Sequence, residues 1–117
     1  NFYVFFFIGD ATPEIYTLSL HDALPIYRME LHVLRIGDVA FATNPFELYA
    51  DYGFSIMGRS RAKQTFVIQL SCDYGDYLPT QRGITGGQYS ALVSLVGPEG
   101  GQVLVDETVK IIHDMWE

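Results

Sequence analysis

The sequence predicts an α/β protein with an incomplete mixed sheet, made of a hairpin and a buried strand, and two main helices. Two β-rich runs flank a two-residue turn signal within residues 31–43. A short apolar run at 65–70 follows one amphipathic stretch, and a longer amphipathic stretch ends the chain. Three strands are too few for a sheet with both faces covered, so we expect them to belong to a larger α/β domain.

The first elements are a hairpin and a helix. Residues 31–36 alternate along the chain, residues 39–43 are rich in strand formers, and Gly37-Asp38 between them is a turn signal. Asn44 as N-cap, Pro45 as the first helical residue and Glu47 three residues after the cap predict a helix over 45–58. Its expected buried stripe is Phe46, Tyr49, Ala50, Gly53, Ile56 and Met57.

The second half of the chain predicts a strand, a long loop and a final helix. Residues 65–70 contain consecutive apolar residues, which is typical of a strand buried on both faces. Residues 71–87 predict a loop rich in glycine, aspartate and tyrosine, and loops of this length are usually functional or disordered. Residues 89–96 fit a strand or a short helix. A helix over 98–116 has the apolar stripe Val105, Thr108, Val109, Ile112 and Met115.

Composition excludes several classes of protein. The 117 residues carry 7 Lys+Arg against 14 Asp+Glu, a net charge of −7, which disfavours nucleic-acid binding and attraction to anionic membranes. Hydrophobic residues make up 49% and charged residues 18%, so general disorder is excluded. The single Cys72 excludes an internal disulfide and a cysteine-cluster metal site. No apolar run approaches the roughly 20 residues of a transmembrane helix.

The first 26 residues are predicted to be an artefactual N-terminal extension, with 27–117 as the domain proper. Residues 14–26, EIYTLSLHDALPI, resemble the in-frame translation of a sequencing adaptor found in metagenomic gene predictions. A genuine amphipathic N-terminal arm is the alternative. We assign no chemistry to His21 and Asp22 within it. Both ends of the chain are expected to be cuts, since it starts at Asn1 and stops after an apolar helical run.

Two features are candidates for chemistry. Glu47 is predicted to follow a strand at the sheet's end, where ligands of α/β folds bind, but the spacing of Asn44 and Glu47 also fits a capping box. Tyr74, Tyr77 and Tyr89 are interleaved with glycines. Phenols in such places bind metals, stabilise oxyanions or line pockets, although ordinary packing explains them too.

Other reactive side chains have simpler explanations. His32 is explained as a strand histidine at a sheet edge, and His113 by the negative end of its helix dipole. Cys72 has no histidine nearby in sequence and is expected to be a small buried residue rather than a nucleophile. The glycines at 83–87 lack the partners of a phosphate-binding loop.

Four motifs resemble the C-terminal part of the catalytic domain in the neutral/alkaline, non-lysosomal ceramidase family, most closely an uncharacterised bacterial branch. They are IGDVAFATNPFEL at 36–48, YLPT at 77–80, GGQY at 86–89 and GPEGGQ at 97–102. The resemblance implies a zinc-dependent amide hydrolase of sphingolipid metabolism. Such an enzyme hydrolyses an N-acyl amide such as ceramide to a sphingoid base and a fatty acid, and its location is secreted or periplasmic.

The resemblance also implies roles for three residues. Glu47 and Tyr77 occupy the positions of zinc ligands, and Tyr89, twelve residues after Tyr77, occupies that of a tyrosine that contacts the substrate. The family's metal-binding histidines precede this region, and neither His32 nor His113 matches them. Phe46 stands where the family has glycine.

These departures limit what we expect of the chain itself. Without imidazole ligands it should not retain zinc and should be catalytically inactive. Two alternatives are a non-enzymatic α/β interaction module that binds through its tyrosine-rich loop, and a related hydrolase that acts on another amide or ester. Glu47 bonded within its own helix and scattered tyrosines would favour the interaction module.

Overall fold

The computed structural model describes residues 2–7, 26–97 and 99–116 of the chain. Within them the fold is mixed α/β, as the sequence predicts. The strands are β1 (Phe2–Phe7), β2 (Ile26–Leu31), β3 (Val33–Ile36), β4 (Val39–Thr43), β5 (Glu47–Leu48), β6 (Gln64–Ile68) and β7 (Tyr77–Leu78). The helices are α1 (Ala50–Arg59), α2 (Gln81–Thr85), α3 (Tyr89–Leu92) and α4 (Gly100–Met115).

The central sheet has the order β3-β4-β6 and contains the predicted hairpin. β3 and β4 are antiparallel, with Leu34 opposite Phe41, and Gly37 in the turn has a φ of +59°, which glycine adopts without steric cost. β6 runs parallel to β4, with Phe41 opposite Phe66. Helix α1 is the crossover between these two parallel strands, so this part of the fold is a βαβ unit.

The prediction that a helix begins at Pro45 is wrong. The side-chain oxygen of Asn44 accepts a hydrogen bond from the Phe46 amide at 3.1 Å, and the backbone then stays extended through β5. Helix α1 begins at Ala50, and its N-cap, Tyr49, makes no side-chain capping bond. Residues 44–48 are extended because β5 finds a strand partner, β7, about 30 positions along the chain. Of the predicted stripe, Ile56 is the residue that α1 buries.

The prediction that the strand after α1 is buried on both faces is also wrong. The side chains of Thr65 and Val67 face the interior, but Phe66 is 48% exposed and Ile68 is 42% exposed. No element of the described residues covers that face of the central sheet. Sequence apolarity therefore reports which surface is suited to burial, not which surface is covered.

The predicted long loop at 71–87 contains the short strand β7 and the one-turn helix α2. The Thr80 hydroxyl caps α2 by accepting a hydrogen bond from the Gly83 amide at 3.2 Å. Residues 89–96, which fitted either a strand or a short helix, begin with helix α3.

The final helix is confirmed, and α4 joins two core clusters. Leu104 and Ile111 pack with residues of β2 and with Phe46 and Leu78 in the first cluster. The opposite side of α4 packs on the central sheet and on α1 in the second cluster, which comprises Ala40, Ile56, Val105, Val109 and Ile112. Met115, the last residue of the predicted stripe, is partly buried against the first cluster.

The N-terminal strand β1 pairs with β2 in an antiparallel ladder, from Phe2 opposite Leu31 to Phe7 opposite Ile26. Residues 8–25, which hold nearly all of the adaptor-like segment with His21 and Asp22, lie outside the described residues. The division of the chain at residues 26 and 27 stays a prediction.

A candidate carboxylate and tyrosine site

The two-stranded parallel pair β5–β7 brings Glu47 and Tyr77 together. The two residues are direct partners in the ladder, so their side chains leave the same face of the pair. Leu48 and Leu78 alternate to the other face, where Leu78 is fully buried in the first core cluster. The buried side chain of Leu78 thereby anchors the strand pair that places the Glu47 carboxylate next to the Tyr77 phenol.

Tyr89, the first residue of α3, completes the group. Its ring lies 6.0 Å from the Tyr77 ring, centre to centre, at an angle of 78°, which is the edge-to-face geometry that aromatic pairs prefer. Tyr89 is largely exposed, so its hydroxyl is accessible to a ligand. The structure thus brings together the three residues to which the resemblance assigns roles.

Tyr74 is a fourth member, a candidate from the tyrosine-rich loop to which the resemblance assigns no role. Its hydroxyl donates a hydrogen bond to Glu47 Oε1 at 3.2 Å. A hydrogen bond to Asp76 is the main cause that raises the pKa of Tyr74 to about 12, and Glu47 contributes in the same direction. Tyr74 therefore keeps its proton and its role as a donor at neutral pH.

The pKa of Tyr77 is raised as well. The main cause is the Glu47 carboxylate, which acts as a hydrogen-bond acceptor and as a nearby negative charge. Tyr89 and Tyr49 contribute smaller effects in the same direction. A phenol that keeps its proton can donate one hydrogen bond, either to Glu47 as here or, in its place, to a ligand oxygen that gains negative charge, which is the chemistry of an oxyanion hole.

The loop that carries Tyr74 is fixed by tight backbone contacts. The Gly75 amide donates to the Pro45 carbonyl at 2.8 Å, and the Glu47 amide donates to the Asp76 carbonyl at 2.9 Å. A Cβ atom at Gly75 would lie 2.7 Å from the Phe46 ring and from the Tyr27 hydroxyl, so a larger residue does not fit there. Asp76 has a φ of +54°, a conformation uncommon outside glycine, asparagine and aspartate.

The other candidates from the sequence lie apart from this cluster. His32 Nε2 is 3.1 Å from Glu30, and His113 Nε2 is 2.9 Å from the Arg59 carbonyl. Cys72 is exposed, so the expectation of a buried thiol is wrong. It lies in the loop that follows β6, where its φ of +68° turns the chain and no core layer covers it.

The donor set of the site does not make a zinc site by itself. Glu47 and Tyr77 offer oxygen atoms only, whereas zinc in proteins is held by three or four ligands, among which histidine and cysteine dominate. No group of three His, Cys, Asp or Glu residues that could hold a metal occurs among the described residues. The residues present could contribute part of a coordination sphere, not all of it.

Comparison with known proteins bears on the fold. No family model matches the chain, and no curated protein matches it. A solved structure of a ceramidase complexed with C2 superposes with a TM-score of 0.67 and 15% identity, over 78% of this chain and 15% of that one. The neutral ceramidase from Pseudomonas aeruginosa superposes with a TM-score of 0.61 and 16% identity, over 93% of this chain and 21% of that one.

The chain has a ceramidase-like fold. It spans between about one seventh and one fifth of the length of these two proteins. At such low identity the likeness concerns the fold alone. In the described part of the chain, no helix combines the length and the apolarity that a bilayer-spanning segment requires.

Proposed function

We propose that residues 27–117 are a C-terminal fragment of the catalytic domain of a neutral-ceramidase-like, zinc-dependent amide hydrolase. In this proposal Glu47 and Tyr77 are metal ligands and Tyr89 contacts the substrate, an N-acyl amide with a lipid-like chain. Residues 1–26 are not part of that domain. The enzyme to which the domain belongs is secreted or periplasmic.

The observation that carries the proposal is the pairing of Glu47 with Tyr77 on one face of β5–β7, with the Tyr89 ring against Tyr77. A non-enzymatic module needs no such arrangement, and in that alternative Glu47 would bond within the first turn of its own helix. Instead Glu47 lies in a strand, three residues before α1 begins. The ceramidase-like fold is independent support, because it does not depend on these three residues.

The chain's own groups supply binding and orientation. The Tyr77 hydroxyl donates its proton to the Glu47 carboxylate in a hydrogen bond, which holds the two proposed ligand residues side by side, and the exposed ring of Tyr89 offers an apolar face to the atoms beside a bound amide. Bound zinc would supply Lewis-acid chemistry, but the described residues do not hold it alone. The isolated chain is therefore expected to bind no zinc at micromolar concentration and to hydrolyse no amide.

A chimera tests the proposal. The superposing part of this chain replaces its counterpart in the neutral ceramidase from Pseudomonas aeruginosa, and zinc content and fatty-acid release from an N-acyl sphingoid amide are measured. Glu47→Gln should lower zinc occupancy and reduce hydrolysis by about 100-fold or more, and Tyr77→Phe by about 10- to 100-fold. Glu107→Gln on α4, a glutamate that is also partly buried, is the control and should change neither.

Equal zinc content and equal hydrolysis in the Glu47→Gln and Glu107→Gln chimeras would refute the assigned role of Glu47. Hydrolysis of the amide by the isolated chain would refute the expectation that this part of the domain is inactive alone.

A further inference from the structure

Among the residues that the structure describes, the central sheet ends at β6, and the far side of this strand is called the open edge below. The strand order β3-β4-β6 leaves β6 with one neighbour, β4, among the described residues. Parallel strand pairs are typical of sheets whose strands are flanked and covered on both sides. An open edge on the parallel side of a sheet is a template for a further strand.

The backbone groups that face the open edge can be identified. Ile68 accepts a hydrogen bond from the Asn44 amide at 2.9 Å, so its carbonyl points towards β4. Because consecutive residues of a strand direct their N–H and C=O groups to opposite edges, Phe66 also points towards β4, whereas Thr65 and Val67 point away from it. The Thr65 carbonyl accepts a bond from the Gln64 side chain at 3.3 Å, as expected of an atom at the open edge.

Helix α1 and β6 line a groove together. Gly53, Phe54 and Met57 lie on one stripe of the helix, and with β6 they line a groove of about 340 Å³. Phe54, an apolar residue on the groove, is 69% exposed. In a βαβ unit the crossover helix covers the strands beneath it. The apolar residues of α1 that line the groove would therefore cover a further strand placed beside β6.

The outer face of the sheet shows what such a strand must be like. Phe66 stacks on Phe41 at 5.2 Å, and Leu34 (57% exposed) and Ile36 (59% exposed) continue the apolar surface on β3. A strand added beside β6 would have one face against α1 and the other in line with this apolar surface. It must therefore carry apolar side chains on both faces.

We propose that the open edge of β6 receives a further β-strand, apolar on both faces, from another part of a longer ceramidase-like polypeptide. The chain spans 15% and 21% of the two ceramidases whose fold it shares, so most of such a polypeptide lies outside it. A polypeptide strand is favoured over a lipid chain because it alone provides hydrogen-bond partners for Thr65 and Val67. The proposal depends on the shared fold and not on the proposed activity.

Amide hydrogen exchange tests the proposal with an internal control. In the isolated chain, the amides of Thr65 and Val67 should exchange rapidly, while the amide of Phe66, bonded towards β4, is protected. In the chimera described above, the Thr65 and Val67 amides should slow by about 100-fold or more, and Phe66 should stay protected. Rapid exchange of Thr65 and Val67 in a folded chimera would overturn the proposal.

A proline at the open edge provides the matching variant. Val67→Pro removes an N–H that faces away from β4, so the isolated chain should keep its circular dichroism spectrum. In the chimera the same change should restore fast exchange at Thr65. Unchanged protection of Thr65 in the Val67→Pro chimera would count against strand addition.

Two further outcomes would overturn the proposal of an added strand. A chimera that is insoluble, while the isolated chain is soluble, contradicts the proposal because the edge then does not accept the ceramidase strand. Sedimentation of the isolated chain as a dimer with protected Thr65 and Val67 would assign the edge to a second copy and overturn the proposal. A chimera without further substitutions that protects Thr65 and Val67 but lacks zinc and activity would refute the proposed function alone.

Discussion

Helix α4 buries apolar side chains in both core clusters, whereas the pair β5–β7 presents a carboxylate and phenols to solvent. Leu104 and Ile112 of α4 are fully buried, while Tyr74 and Tyr89 of the site are largely exposed. Stability and candidate chemistry therefore depend on separate residues. Substitutions in α4 should therefore change the free energy of unfolding, and substitutions in the site should change proton and ligand equilibria instead.

The largest expected effect is that of Leu104→Ala. The side chain is fully buried in the first core cluster, so its truncation leaves a cavity that should lower the free energy of unfolding by about 2–5 kcal/mol. Unfolding in guanidinium chloride measures this. Val103→Ala, at a partly exposed neighbouring position, is the control and should cost far less. Equal losses for the two variants would contradict the assignment of the core.

Gly101→Ala should have the next largest effect. A Cβ atom at Gly101 would overlap the Tyr52 ring, whose hydroxyl donates to the Pro79 carbonyl at 3.0 Å. Displacement of that ring should lower the free energy of unfolding by about 1–3 kcal/mol. Gly58→Ala in α1, where a Cβ meets nothing within 4 Å, should instead stabilise the protein by about 0.5–1 kcal/mol. Thermal unfolding of the two variants compares the effects, and a stabilising Gly101→Ala would contradict the contact.

Asp106→Asn on the exposed side of α4 should cost less than about 1 kcal/mol. Asp106 accepts hydrogen bonds from Arg59 at 2.6 Å and from Gln102 at 2.9 Å, but the side chains of Arg59 and Asp106 are each about half exposed. Denaturant unfolding at low and high salt measures the effect, which should shrink as salt screens the pair. A loss as large as that of Leu104→Ala would show that this pair, and not the apolar core, holds α1 to α4.

Asp76→Asn should lower the free energy of unfolding at neutral pH only slightly, because Tyr74 is largely exposed and asparagine can still accept its hydrogen bond, but it should alter a proton equilibrium. Asparagine also tolerates the positive φ of residue 76, and the change removes the main cause of the raised pKa of Tyr74. That pKa should fall from about 12 towards 10, as measured by NMR of tyrosine labelled at Cζ. Asp73→Asn is the matched control, because Asp73 is absent from the groups that raise the pKa of Tyr74, and it should leave that pKa unchanged.

The direction of the pH dependence follows from the same pKa. The folded protein favours the protonated phenol of Tyr74, so its hydrogen bonds to Asp76 and Glu47 contribute stability below pH 10, the ordinary tyrosine pKa. That contribution is lost as the pH rises through about 12. Between pH 9 and pH 12 the unfolding midpoint should therefore fall more in the wild-type protein than in the Tyr74→Phe variant. An equal fall in the two proteins would contradict this assignment.

The sequence predicted those parts of the fold that depend on local signals. The hairpin turn at Gly37-Asp38 and the apolar period of α4 lie within short windows, and both are confirmed. The start of α1 could not be predicted, because the signals at Asn44 and Glu47 fit either a helix cap or an extended segment. The pairing of Glu47 with Tyr77, thirty positions away, decides between them. The exposure of Phe66 likewise depends on which layers surround the sheet.

The residues of the site could be predicted from the sequence, but the contacts between their side chains could not. Glu47, Tyr77 and Tyr89 were singled out by resemblance, and the structure brings their side chains together, while their roles stay predictions. The contact of Tyr74 with Glu47 depends on a positive φ at Asp76, which no pattern in the sequence reports. The sequence named Tyr74 as a candidate only through its membership of the tyrosine-rich loop.

The stretch that connects β6 to β7 contains three left-handed residues that are not glycine, namely Leu70, Cys72 and Asp76. For a branched, half-exposed side chain such as that of Leu70, this backbone setting costs about 1–2 kcal/mol. Glycine at position 70 would relieve that cost with little loss of burial. An engineer who seeks a higher melting temperature has a starting point there that leaves the Glu47, Tyr77 and Tyr89 side chains intact.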